Sequence, residues 1–268
     1  MTLSPIASAT SALNSIQSNQ ALQDANLQRL TTGRSVNSPS DNAQAFVLAQ
    51  GLLDRSATLS DVGASIGQGV GALQAASNGI DAISSVVNQL KGLAQQALSS
   101  TDPTQQTNLQ NQFNSLAGQI DSLAADSSYN GVNLIAANPG SLTISGAGTT
   151  ITGAAADSAS LGIGAAAGWA GSTANIQASI DSLNQATATL RSQSADLGDN
   201  AAQLQITASF VQSQSAIAAD GASKLTSADL ATAAANVQSA NTYRQLGLAA
   251  LRNANQSQEA ILGLFTQR

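Results

Sequence analysis

The sequence contains no cysteine and no histidine. Disulfides, thiolate nucleophiles, a histidine-assisted serine and ordinary zinc sites are therefore not available to it. Charge is also scarce, at 9% of 268 residues, against about 25% in an ordinary soluble domain. The nine Lys and Arg are scattered from Arg29 to Arg268 and the net charge is −6. No basic stripe exists to neutralise phosphates, so no nucleic-acid partner is expected. No run of 18 or more apolar residues occurs, so no membrane insertion is expected either. The opening "MTLSPIASATSALNSIQSNQ" lacks a basic segment followed by an apolar one. It is read as no cleavable secretory signal, which leaves a cytosolic protein or one exported by a route that cuts nothing off. The remaining chemistry lies in 15 carboxylates. Asp102, Asp121 and Asp126 are read as helix-end charges, not paired catalytic acids. Gly162, Gly164 and Gly168 have the wrong spacing for a dinucleotide fingerprint, and no βαβ unit surrounds them. Neither an enzyme nor a cofactor is expected.

What is present is a repeat of seven. Ala45, Leu52, Leu59, Ile66, Leu73, Ile80, Val87 and Ala94 lie on one line. Three positions later run Leu48, Arg55, Val62, Gly69, Ala76, Ile83, Leu90 and Ala97, where only Arg55 and Gly69 break the apolar character. This pattern predicts one long helix from about Asp41 to Ser99, roughly 90 Å at 1.5 Å per residue. Ser40 or Asp41 is the expected cap, with Gln44 as capping-box partner to Asp41. Thr101-Asp102-Pro103 ends the helix. Leu109, Phe113, Leu116, Ile120 and Leu123 predict a second helix. Ile176, Leu183, Leu190, Leu197, Leu204 and Val211 restore the seven-residue line and predict a third, antiparallel to the first. Gly63, Gly67 and Gly71 suggest a groove where another backbone packs closely. Between the helices, "YNGVNLI" and "GSLTISGAGTTITG" suggest one or two hairpins, and "LGIGAAAGWAGS" a loop carrying Trp169.

The two ends are built alike. Ile6, Leu13 and Leu27 keep a seven-residue line, with Ala9, Ile16 and Leu30 three positions on. Leu248, Leu251, Leu262 and Leu264 belong to a second amphipathic helix at the C-terminus. Each alone has too little apolar face to offset its ordering entropy, so both are expected to be mobile in the free monomer and to order together on association. Between the N-terminal helix and the long one, "LQRLTTGRSVNSPSDN" is polar and broken by Gly33 and Pro39. The fold class is thus mainly α: an elongated antiparallel helical rod, paired terminal helices and a small β-hairpin region. The segments expected are a terminal helix and joint over 1–40, the N-terminal rod over 41–135 and a short variable region over 136–172. The C-terminal rod over 173–224 and a terminal helix over 225–268 complete the chain.

These segments resemble bacterial flagellin over nearly the whole chain. Arg29, Leu30, Gly33, Asn37, Ser38, Asp41 and Ala43 fall on the family's R-L-S-S-G-x-R-I-N-S-x-x-D-D-A stretch. "YNGVNLI" is similar to its F-N-G-V segment. "DLGDNAAQL" resembles its L-G-A-x-Q-N-R-L stretch, although Ala201-Ala202-Gln203 replaces the Q-N-R triplet. "QLGLAALRNANQSQEAILGLF" resembles its terminal A-N-Q-x-x-Q-x-x-L-x-L-L segment. The resemblance implies a filament subunit for swimming motility, extracellular on the flagellum. It would be exported unfolded and assembled at the tip, its terminal helices lining an inner tube.

Implied partners are copies of itself, hook-associated junction and cap proteins, the flagellar export apparatus and an export chaperone. The joint of Arg29, Gly33, Arg34, Asn37, Pro39 and Asp41 becomes the spoke between inner and outer shells. Ser35 fills a position where the family has arginine. The innate-receptor epitope of immunostimulatory members matches Gln89 to Ala97. Gln89 replaces its key arginine and Gln112 an important glutamate while Leu93 is kept, so weak toll-like-receptor activation is expected. "NSPSD" also suits a hook–filament junction protein, the alternative reading. A chemoreceptor-type hairpin would need membrane spans, which are absent. The resemblance also implies candidate O-linked glycan positions among the Ser and Thr of 141–173, as in some flagellins.

Overall fold

The seven-residue lines are realised as long helices. The computed structural model describes residues 4–266, with side chains over 10–257 and at 259 and 260. The elements are α1 (Ser4–Thr32), α2 (Ala43–Ser99), α3 (Pro103–Asp126), β1 (Ser128–Tyr129), β2 (Val132–Asn133), β3 (Ser141–Ile144), β4 (Thr149–Thr152), α4 (Thr173–Thr226) and α5 (Leu230–Thr266). The 57 residues of α2 span about 85 Å. The chain is mainly α, as its periodicity requires. Two compact units divide it, one of residues up to Arg55 and from Ile217 onward, the other Ser56–Ala216.

In the second unit α2 and α4 run antiparallel. Ser56 and Ser215 join hydroxyl to hydroxyl at 2.9 Å, and Lys91 Nζ donates to Asn184 Oδ1 at 2.7 Å. Along α2 the seam is buried from Val62 onward, through Ile66, Leu73, Ile80, Ile83, Val87 and Leu90. From α4, Ile176, Leu183, Leu190, Leu204 and Val211 are buried, while Leu59 and Leu197 pack against this core partly exposed. The third helix, α3, buries Leu109, Phe113 and Ile120 at helical spacing. Asp102 caps it, accepting from the Thr104 N–H at 2.8 Å.

Where one or two hairpins were expected, two form. Asn130 and Gly131 turn the first with φ of 49° and 81°, the positive pair that a tight two-residue hairpin requires. Asn133 then uses its whole amide: Nδ2 donates to the carbonyls of Ala124 and Ala125, and Oδ1 accepts from the N–H groups of Ile135 and Ala136. It closes the end of α3 and launches the next segment at once. The second hairpin pairs Ser141–Ile144 with Thr149–Thr152 and buries Ile144 and Ile151.

The loop around Trp169 is held by the amide row of α3. Gln106 Oε1 accepts from Gly171 N, Gln110 Oε1 from Trp169 N, and Asn114 both accepts from and donates to the backbone of Ala166. Spaced four apart, these amides satisfy backbone groups that burial would otherwise orphan. Trp169 is fully buried, packs edge-on against Phe113 at 5.1 Å between ring centroids, and donates from Nε1 to Ser179 Oγ at 3.2 Å.

Two expectations need correction. The cap of α2 is Asn42, whose Oδ1 accepts from Ala45 N at 3.0 Å. Asp41 cannot cap, because its carboxylate is turned back into the preceding joint. Of the three glycines expected to be closely approached, only Gly71 is, and by a side chain. Gly63 and Gly67 are open, with nothing within 4 Å of a Cβ placed there. Gly69 lies under the second hairpin, where a Cβ would sit 2.6 Å from Ile144 Cδ1, and Gly79 lies under Ser127 and Ile135. Gly71 faces the Tyr129 ring, 2.7 Å from its nearest atom. Gly69, which seemed to spoil the seam, is where the sheet approaches the helix.

Candidate functional site

The polar joint after α1 is an ordered crossing. Gly33, at φ +70°, ends α1 with its N–H on the Arg29 carbonyl at 2.9 Å, the left-handed helix stop that glycine makes cheaply. The next residues pair with the segment leaving α4. Ser35 N donates to Thr226 O at 2.7 Å and Ala228 N to Gly33 O at 3.0 Å, while Arg34 and Ser227 form an antiparallel bridge. Ser35 Oγ adds bonds to the carbonyls of Thr226 and Ser227, and Val36 is buried beside them. Ser35, which stands where the resemblance led to an expected arginine, thus ties the two crossings together through its hydroxyl.

Asp41 shapes the second half of the joint. Its Oδ2 accepts from the backbone N–H groups of Asn37 and Ser38, each at 2.9 Å, and from the Ser38 hydroxyl at 3.1 Å. The Asn37 N–H, then the Ser38 N–H, hold this carboxyl below the usual 3.8. Pro39 sits exposed in the turn, and Asn37 Nδ2 donates to Arg34 O at 3.3 Å. On the other strand of the crossing Asp229 starts α5, accepting from the hydroxyl and N–H of Thr232. Those two bonds, the hydroxyl first, lower its pKa as well. The return crossing was missed in the sequence, although Ser227-Ala228-Asp229 ahead of a helical pattern carried a capping signal.

Beyond the crossing α1 and α5 run antiparallel along each other, with Gln23 Nε2 donating to Asn241 Oδ1 at 3.0 Å and Ile16 lying over Gly247. Only one of the two lines on α1 is sheltered. Ile16, Gln23 and Leu30 are half-buried, joined by Ala12, Asn19 and the buried Asn26. Leu13 and Leu27 are exposed, as are Leu22, Leu246 and Leu248; Leu251 is half-buried. Among the described residues the sheltered seam is therefore rich in amides, while Leu13, Leu22, Leu27, Leu246 and Leu248 face outward. Ile6, Leu262 and Leu264 have side chains outside the described residues.

Leu52 is half-buried in the first unit, 3.2 Å from the point where a Cβ on Gly221 would lie. Gln89 and Gln112 are exposed, and Leu93 is partly buried against the core. Asp121 accepts from the Ser158 N–H at 2.8 Å, which gives it a structural task. Among the described residues there is no group of three or more side chains suited to a metal ion, and no helix long and apolar enough to cross a membrane. The arrangement offers paired crossings and exposed apolar surfaces.

Comparison with known proteins points the same way. Residues 4–139 match the bacterial flagellin N-terminal helical region, and residues 180–265 the bacterial flagellin C-terminal helical region. Flagellin FljN of Caulobacter vibrioides is 31% identical, covering 95% of this chain and 99% of that protein. Flagellin FljK of the same organism is 29% identical over the same shares. The flagellin of Aquifex aeolicus is 33% identical over 45% of this chain and 24% of that protein. The crystal structure of Bacillus cereus flagellin is 23% identical with a TM-score of 0.42, over 58% of this chain and 88% of that one.

Proposed function

The chain belongs to the bacterial flagellin family, and from that premise we propose how its parts serve a flagellar filament. Flagellins are structural proteins, not enzymes, and this chain is a filament subunit that polymerises with copies of itself in the extracellular flagellum. In our reading residues 1–40 and 225–268 supply the innermost layer, 41–135 and 173–224 the layer outside it, and 136–172 the outward-facing region. The crossing at Arg29, Gly33, Arg34, Asn37, Pro39 and Asp41 carries the chain between layers.

The observation that carries this reading is the outward display of leucine on the terminal helix pair. Leu13, Leu22, Leu27, Leu246 and Leu248 are exposed while amides occupy the sheltered seam. Buried among neighbouring subunits, such surface contributes about 25 cal/mol per Å2 of apolar area and offsets the entropy of ordering the helices. In a monomer without neighbours that contribution is missing. The termini then stay unfolded for passage through the export apparatus with its chaperone, and they order at the filament tip. Junction and cap proteins of the hook-associated kind would meet the same surfaces at the two filament ends. With Gln89 and Gln112 in the epitope positions, toll-like-receptor activation is weak.

Negative-stain electron microscopy of the purified chain, with and without short filament seeds, tests the reading. Long filaments are expected from the full chain, and none from a chain lacking residues 1–33 and 230–268. A full-length chain that stays monomeric and never extends seeds would overturn it.

A further inference from the structure

Two exposed apolar surfaces belong to α2 and α4 and not to the terminal helices. On α4, within the second unit, Ile206 and Phe210 stand one turn apart and are 72% and 62% exposed. On α2, within the first unit, Val47 and Leu48 are 68% and 54% exposed. Together with Ala43, Gln44, Gly51 and Leu52 they line an open groove of about 720 Å3. A Cβ on Gly51 would meet nothing within 4 Å, so the groove is unfilled at that point. Neither surface is charged: no Asp, Glu, Lys or Arg occurs between Asp41 and Asp54, or between Asp199 and Asp220.

We propose that the Ile206–Phe210 ridge of one subunit docks in the Val47–Leu52 groove of a second copy of the same chain. This rests on the filament reading above and names surfaces for it outside the terminal helices. Side chains at i and i+4 form the ridge that a facing helical groove accepts. Two uncharged surfaces meet without stripping water from ions and without the repulsion that a net charge of −6 would otherwise bring. Ridge and groove are different parts of the chain, so the contact is heterologous and repeats from copy to copy without needing to close, as an open filament requires. A handful of side chains falls well short of the roughly 800 Å2 per partner of a stable standard interface. The contact therefore adds to others in the polymer and does not hold a dimer in dilute solution.

The absence of cysteine allows a direct test. Phe210→Cys and Leu48→Cys chains are assembled singly and as an equimolar mixture, oxidised mildly, and examined by non-reducing gels, peptide mapping and electron microscopy. A disulfide forms only where the two Cα atoms come within about 7 Å. The expected result is a 48–210 link in mixed filaments and next to none in either variant alone. Filaments with no link, or with only 48–48 or 210–210 links, overturn the docking and leave the filament reading standing. If the cysteine variants do not assemble while the unaltered chain does, a charge swap decides. Phe210→Asp should raise the critical concentration and added Leu48→Lys should lower it again; failure of that rescue overturns the docking. No filaments from the unaltered chain would overturn the filament reading, and the docking with it.

Discussion

At the scale of single residues, the joint depends on Asp41. One carboxylate oxygen takes three donors from Asn37 and Ser38, so the turn around Pro39 is organised by a charge. Because the folded pKa lies below the ordinary 3.8, this contribution is fully present above the unfolded value. It is lost as pH falls through the folded one. Asp229 follows the same sign for the same kind of reason. The amide protons of Asn37 and Ser38 should therefore shift together in an NMR titration, with a midpoint below that of an ordinary aspartate. A midpoint at or above the ordinary value would show that the carboxylate does not hold these groups. Asp41 was legible in the sequence as a joint residue but not in its role. Its neighbour Asn42 could take over the cap, and only the folded turn shows which did.

At the scale of the element, α2 shows how a seven-residue pattern accommodates interruptions. Gly67 and Gly79 lie on the same helix, yet their surroundings oppose one another. A methyl group on Gly67 meets open space, so Gly67→Ala should stabilise the monomer by up to about 1 kcal/mol through helix propensity alone. On Gly79 a Cβ would press on Ser127 and come 2.6 Å from Ile135 Cδ1. An overpacking cost of about 1–3 kcal/mol offsets or exceeds the propensity gain there. Gly79→Ala should thus lower the urea midpoint in the experiment where Gly67→Ala raises it. The terminal pair makes a related point. Its lines Ile6-Leu13-Leu27 and Ala9-Ile16-Leu30 look equivalent in sequence, and periodicity alone does not say which faces α5. The hydrogen bond between Gln23 and Asn241 belongs to the second line. A polar pair in such a seam favours one register at some expense of stability.

At the scale of the whole molecule, scarcity of charge governs how the chain meets its copies. With 9% of residues charged and a net charge of −6, the exposed leucines, Ile206, Phe210 and Val47 are the surfaces with most to gain from burial. Polymerisation should therefore respond strongly to sulfate, which strengthens burial by exclusion from protein surface. It should respond weakly to sodium chloride, which mainly screens charges. Sedimentation of polymer across both salts checks this: a steep fall in critical concentration with sulfate and little change with chloride is expected. The reverse order would make ion pairs the dominant contacts. The same composition makes amides the anchors of the loops over an apolar core. Where a charged domain would bury ion pairs, this one uses Gln106, Gln110, Asn114 and Asn133 to hold loops by their backbones.

The sequence by itself determined the three long helices of the core and the Asn130-Gly131 hairpin. Helical periodicity and turn chemistry are local, set by neighbours a few residues apart. Four motifs in order also carried the family. Only the tertiary structure decided that residues 33–36 lie against 226–228 and which line of α1 faces α5. It also decided that Gly69, Gly71 and Gly79 are the crowded glycines, while Gly63 and Gly67 are open. Each of these depends on how segments far apart in the chain meet, such as Gln23 and Asn241, 218 residues apart. No local pattern encodes which distant surface arrives, because that is settled by how all the apolar faces are buried at once.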